Sequence, residues 1–171
     1  MRTPNDFVGR YSLLILMLIL VTGSVPAAGN PAAGNDDKYI CSEPNPESLC
    51  TPANTCGSVA APCVVDVKRT AASASVTPTI PDAKSNMPFC VKSGTTITWK
   101  SLSKDTGFVL DFGPSTPFAR GTILGGSDRS ASVVAKKQGC YKFSAGACVS
   151  GATYGMCASV DSELVVTGGG K

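Results

Sequence analysis

Apolar residues recur at every second position through much of the chain beyond residue 62. In residues 63–69, with the sequence CVVDVKR, Cys63 and Val67 fall on one face of an extended chain, and Asp66 and Lys68 fall on the other. A period of two is typical of a strand with one buried face. The same reasoning predicts further strands at residues 75–77, 88–94, 96–101, 107–113, 130–137, 141–144 and 163–167.

This alternation predicts the fold class. Beyond residue 28, no stretch places apolar residues at i, i+3, i+4 and i+7, and glycine and proline interrupt the chain too often for long helices. Residues 114–126, which include the pair Gly125-Gly126, are expected to form irregular loops. About six to eight short strands separated by turns predict an all-β protein, a Greek-key β-sandwich.

Residues 1–28 have the parts of a secretory signal peptide. Arg2 and Arg10 give a positive start, residues 12–21 (SLLILMLILV) are apolar and uncharged, and Ala27 and Ala28 mark a cleavage site. The apolar stretch is shorter than the ~20 residues of a membrane-spanning helix, so an uncleaved anchor is the less favoured alternative. We expect cleavage, no membrane span in the mature chain, and a periplasmic or extracellular location.

The cysteine content indicates the same oxidising compartment. Eight cysteines in a chain with a signal peptide fit four structural disulfides. No two cysteines form a C-x-x-C pair, which disfavours a thioredoxin-type redox motif and a zinc knuckle. The predicted disulfide cysteines are Cys41, Cys50, Cys56, Cys63, Cys90, Cys140, Cys148 and Cys157.

The mature chain is expected to consist of a folded domain with short appendages. Residues 29–38 form a flexible leader, because its PAAGN composition offers nothing to bury. Residues 39–62 are a loop-rich, disulfide-crosslinked extension, residues 63–167 form the sandwich, and residues 168–171 are a flexible tail. We interpret the extension as a cover for one edge of the sandwich, in preference to a disulfide-framed recognition loop.

Sequence proximity suggests how the cysteines pair. The four in residues 41–63 are expected to pair mainly among themselves, because they lie close together in a segment that has no core of its own. Cys148 and Cys157 flank a short loop with two glycines and are expected to bridge it. Cys90 and Cys140 remain, and their predicted bridge requires that the fold bring their strands together.

The charge of the chain excludes one class of partner. Removal of residues 1–28 takes two basic residues and one acidic residue from the 15 and 12 of the full chain, which leaves a net charge of +2. The positive charges are spread thinly along the sequence. Nucleic-acid binding requires a clustered basic face, so we expect no nucleic-acid partner.

Three segments resemble the cupredoxins, a family of blue-copper β-sandwich proteins. Residues 93–108 (SGTTITWKSLSKDTGF) are similar to the family's glycine-led strand, V-x-W/F-x-N, which precedes the first copper histidine. Residues 139–148 (GCYKFSAGAC) are similar to the family's G-x-Y-x-F-x-C, which delivers the copper thiolate, and residues 161–166 (DSELVV) to its closing strand. The resemblance implies a cupredoxin-like sandwich over about residues 63–166.

The copper ligands of that family are not present. Type 1 copper needs two imidazoles and a thiolate, and this chain contains no histidine. We therefore predict neither a metal nor another cofactor. The positions that the resemblance assigns to the family's asparagine, first histidine, cysteine, second histidine and methionine are, in that order, Ser101, Gly107 or Phe108, Ala145, Cys148 and Met156.

Other catalytic arrangements have little support in the sequence. A serine or cysteine nucleophile would lack a histidine base. The pairs Asp105 with Asp111 and Asp161 with Glu163 are conceivable acid–base partners, but acids at turns and strand ends are more often solvated surface. Met156 is a conceivable soft metal contact and is more often a packing residue. We expect no enzymatic activity.

The resemblance implies a cupredoxin-like domain. By elimination, we expect this secreted domain to act as a non-catalytic binding or structural module of the cell envelope or extracellular space. Its partner would be a protein or glycan of that compartment, bound by loops on a rigid scaffold. The candidate loops are residues 101–107, 114–126 and 145–156. The alternative is a redox or metal-handling protein that uses an exogenous metal or reactive thiols.

Overall fold

The computed structural model describes residues 36–71, 73–149 and 157–169. The predicted signal peptide, most of the leader, Met156 and the last two residues of the tail lie outside these residues. Two short 3-10 helices, Asp36–Tyr39 and Pro46–Leu49, precede the sheets, and no helix in the described part is long and apolar enough to cross a membrane. The strands are β1 (Cys63–Arg69), β2 (Ala74–Pro78), β3 (Phe89–Lys92), β4 (Thr96–Lys100), β5 (Thr106–Asp111), β6 (Thr122–Gly126), β7 (Ala131–Val134), β8 (Gly139–Val149) and β9 (Cys157–Thr167).

The strands form two sheets that enclose one core. The first sheet has the order β2-β1-β4-β7 and the second has the order β3-β9-β8-β5-β6. The pairs β1 with β4 and β3 with β9 are parallel, and the other pairs are antiparallel. The chain crosses from one sheet to the other several times. This arrangement confirms the predicted all-β fold, a β-sandwich.

Aromatic side chains join the two sheets. Trp99 of β4, in the first sheet, is fully buried and meets three rings of the second sheet edge to face. The ring centroids lie 6.2 Å from Phe89, 6.3 Å from Phe112 and 5.6 Å from Phe143, and the last two rings stack at 4.6 Å. Such pairs contribute roughly 0.5–1.5 kcal/mol each beyond the burial of their area. The predicted inward faces of β1, β4 and β5 are confirmed.

Three strands depart from the sequence prediction. β6 lies where irregular loops were expected, because Ile123 is its one large inward side chain and no alternation marks it. β9 begins at Cys157 rather than at Glu163, since its first half consists mainly of small and polar residues. β8 likewise continues to Val149 through a run of small residues.

The N-terminal extension covers the outer edge of β3. The N–H of Cys56 donates to the oxygen of Cys90 at 2.8 Å, and the N–H of Cys90 donates to the oxygen of Asn54 at 2.9 Å. These bonds form an isolated parallel bridge between Thr55 and Cys90. Because β3 is an edge strand of its sheet, the pairing confirms the interpretation of the extension as an edge cover.

Two disulfides fasten the extension to the outer face of the second sheet. Cys41 is bonded to Cys140 of β8, and Cys50 is bonded to Cys90 of β3. Cys90, Val165 and Cys140 lie side by side on three neighbouring strands. The residues that flank Val165 point into the core, so it faces outward, yet it is only 1% exposed. The extension therefore shields this row from solvent.

The predicted disulfide pairing is confirmed in part. All eight predicted cysteines are paired. Cys148 is bonded to Cys157 as predicted, and Cys56 pairs within the N-terminal group, with Cys63. The other two cysteines of that group pair with the sheet, so the predicted grouping is wrong for them. A segment without a core of its own lies flat on the sheet, which brings these cysteines to the sheet's cysteines.

The predicted bridge between Cys90 and Cys140 is wrong because of strand register. Both residues are paired with Val165, one from each side. They are therefore two strand spacings apart, or about 10 Å. A disulfide cannot form across more than ~7 Å between Cα atoms without movement of the backbone.

Loss of the Cys41–Cys140 bridge should cost more stability than loss of the Cys148–Cys157 bridge. The two bridges span 99 and 9 residues. The Cys50–Cys90 bridge already joins two residues that are 40 positions apart within this span. In the otherwise intact protein, the Cys41–Cys140 bridge therefore closes an effective loop of about 60 residues. Loop entropy then predicts an additional loss of about 1.7 kcal/mol. Urea unfolding of the two double alanine variants measures the difference, and equal losses would contradict this account.

Tyr39 anchors the start of the extension. Its hydroxyl donates to Oδ2 of Asp111 at 2.6 Å, and its ring covers Gly113. Gly113 has a φ of 62°, and a Cβ there would lie 2.5 Å from the ring, so the position requires glycine. The hydrogen bond from Tyr39 is the main reason that the pKa of Asp111 is lowered, and the N–H of Gly113 and the charge of Lys38 act in the same direction. The same bond raises the pKa of Tyr39.

Tyr39→Phe should flatten both sides of the pH–stability profile. The contribution of Asp111, whose folded-state pKa is lowered, is full above its unfolded value near pH ~4 and is lost as the pH falls through the folded value. The contribution of Tyr39, whose folded-state pKa is raised, is full below pH ~10 and is lost above it. Near neutral pH the loss should stay under about 1 kcal/mol, because the pair is only partly buried and solvent screens it.

The free energy of unfolding, measured against pH for the wild type and Tyr39→Phe, tests this prediction. Asp128→Asn serves as a control, since it removes an exposed acid that has no such bond. Identical pH slopes in the wild type and Tyr39→Phe would show that the hydrogen bond does not contribute to folding.

Candidate functional site

The strand directions bring several loops to one end of the sandwich, here called the loop end. β4 ends and β5 begins there, β6 turns back at residues 127–130, and β8 and β9 are joined there by the Cys148–Cys157 bridge. Two of the three predicted binding loops, residues 101–107 and 145–156, thus share this end, although residues 150–156 lie outside the described residues. The third is divided: residues 124–126 reach the loop end, and residues 114–121 lie at the opposite end.

A cleft of about 450 Å³ opens at the loop end beside β5 and β6. Backbone atoms of Gly107, Gly125 and Gly126 contribute to its lining. Two hydrogen bonds hold the turn beside it. The N–H of Gly126 donates to the oxygen of Arg129 at 2.8 Å, and the N–H of residue 127 donates to the oxygen of Thr106 at 3.0 Å. These bonds hold in place the part of the backbone that lines the cleft.

Two of these glycines differ in what they leave room for. A Cβ on Gly125 would clash with the ring of Phe108 and lie 2.8 Å from the oxygen of Arg129, so this position excludes a side chain. A Cβ on Gly107 would meet only the oxygen of Gly125, at an ordinary 3.9 Å. The missing side chain at Gly107 thus leaves space that a ligand can occupy.

The cleft combines charged, hydroxyl and apolar groups. Asp105, Asp128 and Arg129 line it, and none of them forms an ion pair in the described part of the chain. Ser127 adds a hydroxyl, and Leu124, which is 66% exposed, adds an apolar wall. A few polar groups placed around apolar surface are typical of small-ligand sites. The arrangement can bind a polar ligand through both hydrogen-bond donors and acceptors.

The structure separates the first predicted carboxylate pair. Asp105 lies just before β5 and Asp111 ends it. Six residues of extended chain separate them by roughly 20 Å. Asp111 accepts its hydrogen bonds from Tyr39 and Gly113 instead. These two acids do not form a catalytic pair.

The second predicted pair shares a face of β9, but each acid has a structural partner. Asp161 forms an ion pair with Lys142 at 3.6 Å. Glu163 accepts a hydrogen bond from the N–H of Ser42 at 2.7 Å and is only 8% exposed. The prediction that Glu163 is a solvated surface acid is therefore wrong, because the extension covers it. Both contacts favour a structural role for this pair.

The residues at the implied copper positions do not fit a type 1 copper site. Ala145 is fully buried and offers no ligand atom, Gly107 has no side chain, and Phe108 lies in the core. The sulfur of Cys148 is bonded in a disulfide, and Met156 lies outside the described residues. An imidazole and a thiolate are both lacking at these positions, so no chemistry through copper can be derived for this protein.

One group of potential metal ligands occurs among the described residues. The sulfurs of Cys41 and Cys140 and a carboxylate oxygen of Glu163 lie within 4.8 Å of one another. The two sulfurs are bonded to each other, and a disulfide offers no thiolate. The carboxylate is bonded to the N–H of Ser42. In the oxidised protein this group therefore does not favour the metal-handling alternative.

Sequence reasoning missed two features of the structure. The cleft extends to Ser127, Asp128 and Arg129, beyond the predicted loops, although the composition GGSD does signal a turn. The hydrogen bond between Tyr39 and Asp111 joins residues 72 positions apart, and no local sequence pattern predicts it.

Comparison with known proteins identifies no family. No protein-family model matches the chain, and no curated protein matches its sequence. Three chains of solved structures match. One of them is an oxidized mutant of amicyanin, to which this chain is similar at 14% identity and a TM-score of 0.35, over 68% of this chain and 95% of that chain.

Addition of Cu(II) to the purified mature protein should produce no intense visible thiolate-to-copper absorption. The chain has no histidine, and all eight cysteines are in disulfides. Absorption spectroscopy and metal analysis after gel filtration measure the outcome, with a blue-copper protein treated in parallel as the positive control. A blue protein with stoichiometric copper would contradict the assignment of these positions.

Proposed function

We propose that this protein is a secreted, non-catalytic binding module that holds a component of the cell envelope or extracellular space in the loop-end cleft. The observation that carries the proposal is the cleft itself. It measures about 450 Å³ and stands on a sandwich that four disulfides crosslink. Folds of this kind place recognition in loops that a rigid scaffold positions.

The disulfides support the secreted location. They include bridges that span 99 and 40 residues, which join the extension to two strands of the second sheet. Such structural crosslinks persist in oxidising compartments and are rare in the cytosol. The signal-peptide pattern of residues 1–28 is consistent with export.

Several contacts favour binding over catalysis. Perturbed pKa values tend to mark catalytic groups, but Tyr39, Asp111 and Tyr141, whose pKa values are shifted, lie toward the opposite end from the cleft. Ser127 lines the cleft in a chain without histidine and so has no imidazole base. The redox alternative has no support from thiols, because every cysteine is paired.

The lining of the cleft favours a polar ligand, such as a glycan or a polar protein segment. Asp105 and Asp128 accept hydrogen bonds from hydroxyl or amide groups, and Arg129 donates them. Leu124 provides the apolar contact that a sugar ring or an aliphatic side chain requires. The ligand is therefore expected to carry both donors and acceptors.

Gly107→Leu should abolish retention of the ligand without loss of folding. The added side chain projects into the cleft, and its Cβ meets no atom closer than 3.9 Å. Lys92→Leu is the matched control, because it adds the same side chain at an exposed position at the far end of β3. Wild type and both variants, immobilised in equal amounts, are exposed to the envelope fraction of the source cells.

Quantitative mass spectrometry of bound proteins and glycans gives the result. A component retained by the wild type and by Lys92→Leu, and reduced about tenfold or more by Gly107→Leu, is expected, since filling the cleft displaces the whole ligand. Equal retention on all three proteins would rule out the cleft as the binding site.

A further inference from the structure

Two of the four sheet edges are covered by other parts of the chain. The extension pairs with β3 through Asn54 and Cys56. At β2, the N–H of Val76 donates to Oδ1 of Asn86 at 2.8 Å, and the N–H of Asn86 donates to the oxygen of Val76 at 2.7 Å. Such cover is how proteins protect edge strands from pairing with another chain.

The edge of β6 has no such cover in the described part of the chain. Gly121 and Ser127, on either side of this strand, form hydrogen bonds with the chain of β5. Bonded and non-bonded positions alternate in an antiparallel pair, so Thr122 and Leu124 direct their backbone N–H and C=O groups away from β5. The edge of β6 thus presents unpaired donors and acceptors in the spacing that an added strand requires.

A second cleft, of about 160 Å³, lies between β6 and β7. Arg120 and Arg129 line it and flank β6 in sequence, and no acidic residue lines it. Neither arginine forms an ion pair within the residues that the structure describes. The half-buried side chains of Ala131 and Val133 give it an apolar wall. The second cleft therefore carries positive charge, from arginines that flank β6, the strand with the unpaired edge.

The same arginines disfavour a second copy of this chain as the occupant. In a symmetric antiparallel pairing of two β6 strands, Arg120 of one copy would lie near Arg129 of the other. Like charges opposite one another destabilise a strand pair. Carboxylates placed near the two guanidinium groups would instead form charge-assisted hydrogen bonds.

We infer that the edge of β6 binds an extended, acidic segment of a partner protein by strand addition. The backbone of the segment pairs with Thr122 and Leu124, and two acidic side chains, about five residues apart, bond to Arg120 and Arg129. This inference goes beyond the proposed function, because it assigns a binding role to a second surface, the edge of β6, which lies beside the loop-end cleft and shares Leu124 and Arg129 with it.

A display library of random nine-residue peptides, selected on the immobilised protein, tests the inference. Enriched peptides should alternate apolar residues with polar ones and carry acidic residues near both ends. Arg120→Glu with Arg129→Glu should weaken the selected peptides about tenfold or more, because both charge-assisted contacts are reversed. Lys84→Glu with Lys92→Glu, an identical change of charge at exposed positions elsewhere, should leave binding within about twofold.

A backbone variant tests strand addition separately from charge. Thr122→Pro removes an outward N–H at the first residue of an edge strand, a position that tolerates proline. It should weaken the peptides about fivefold or more, with unchanged disulfides and thermal unfolding as evidence of folding. Gly107→Leu fills the loop-end cleft and should leave peptide binding unchanged. The experiment therefore distinguishes failure of the strand-addition inference from failure of the proposed function.

Three results would overturn the inference. They are a selection without enriched peptides, enriched peptides without acidic residues, and binding that survives both the charge reversal and Thr122→Pro. Sedimentation of the protein alone gives a fourth test. A dimer that Thr122→Pro dissociates would assign the edge to a second copy of the chain instead.

Discussion

The contact of Trp99 with the rings of the opposite sheet is the interaction on which the sandwich depends. Trp99 sits on β4 between β1 and β7, with Val65 and Ala131 as its register partners. Its three ring contacts reach β3, β8 and the end of β5. One side chain thus fixes the relative position of strands from both sheets. Both clefts depend on this arrangement, because β7 pairs with the strand of Trp99, Trp99 contacts the end of β5, and β6 pairs with β5.

The second constraint acts from outside the core. Val165 is an outward-facing residue that the extension buries, and Glu163 is an outward-facing acid whose carboxylate holds the extension through Ser42. The second sheet therefore has both faces covered over part of its area, although only one face meets the core. The loop end lies away from this cover, which leaves its cleft and the neighbouring β6 edge accessible.

Strands with strong local alternation are predictable from the sequence alone. The alternation at Ile97 and Trp99 is strong enough to place β4 and the inner face of its sheet. β6 is not predicted, because its sequence TILGG has one large inward side chain and therefore no alternation. The cleft beside it is not predicted either, because three of its lining residues are glycines, which add no side-chain pattern to the sequence. The bridges of Cys41 and Cys50 depend on which strands neighbour one another, and this is a property of the sheet order that no spacing along the chain reveals.

The order of the disulfides also determines what a single break in the backbone does to the molecule. The Cys41–Cys140 bridge encloses every loop up to the start of β8, and the Cys148–Cys157 bridge encloses the connection from β8 to β9. A protease that cuts any one loop between Cys41 and Cys157 leaves both fragments covalently joined. The stretch outside these two enclosures, from Cys140 to Cys148, lies within a strand at the interior of the second sheet. In a protease-rich environment, the protein can therefore be nicked without being taken apart.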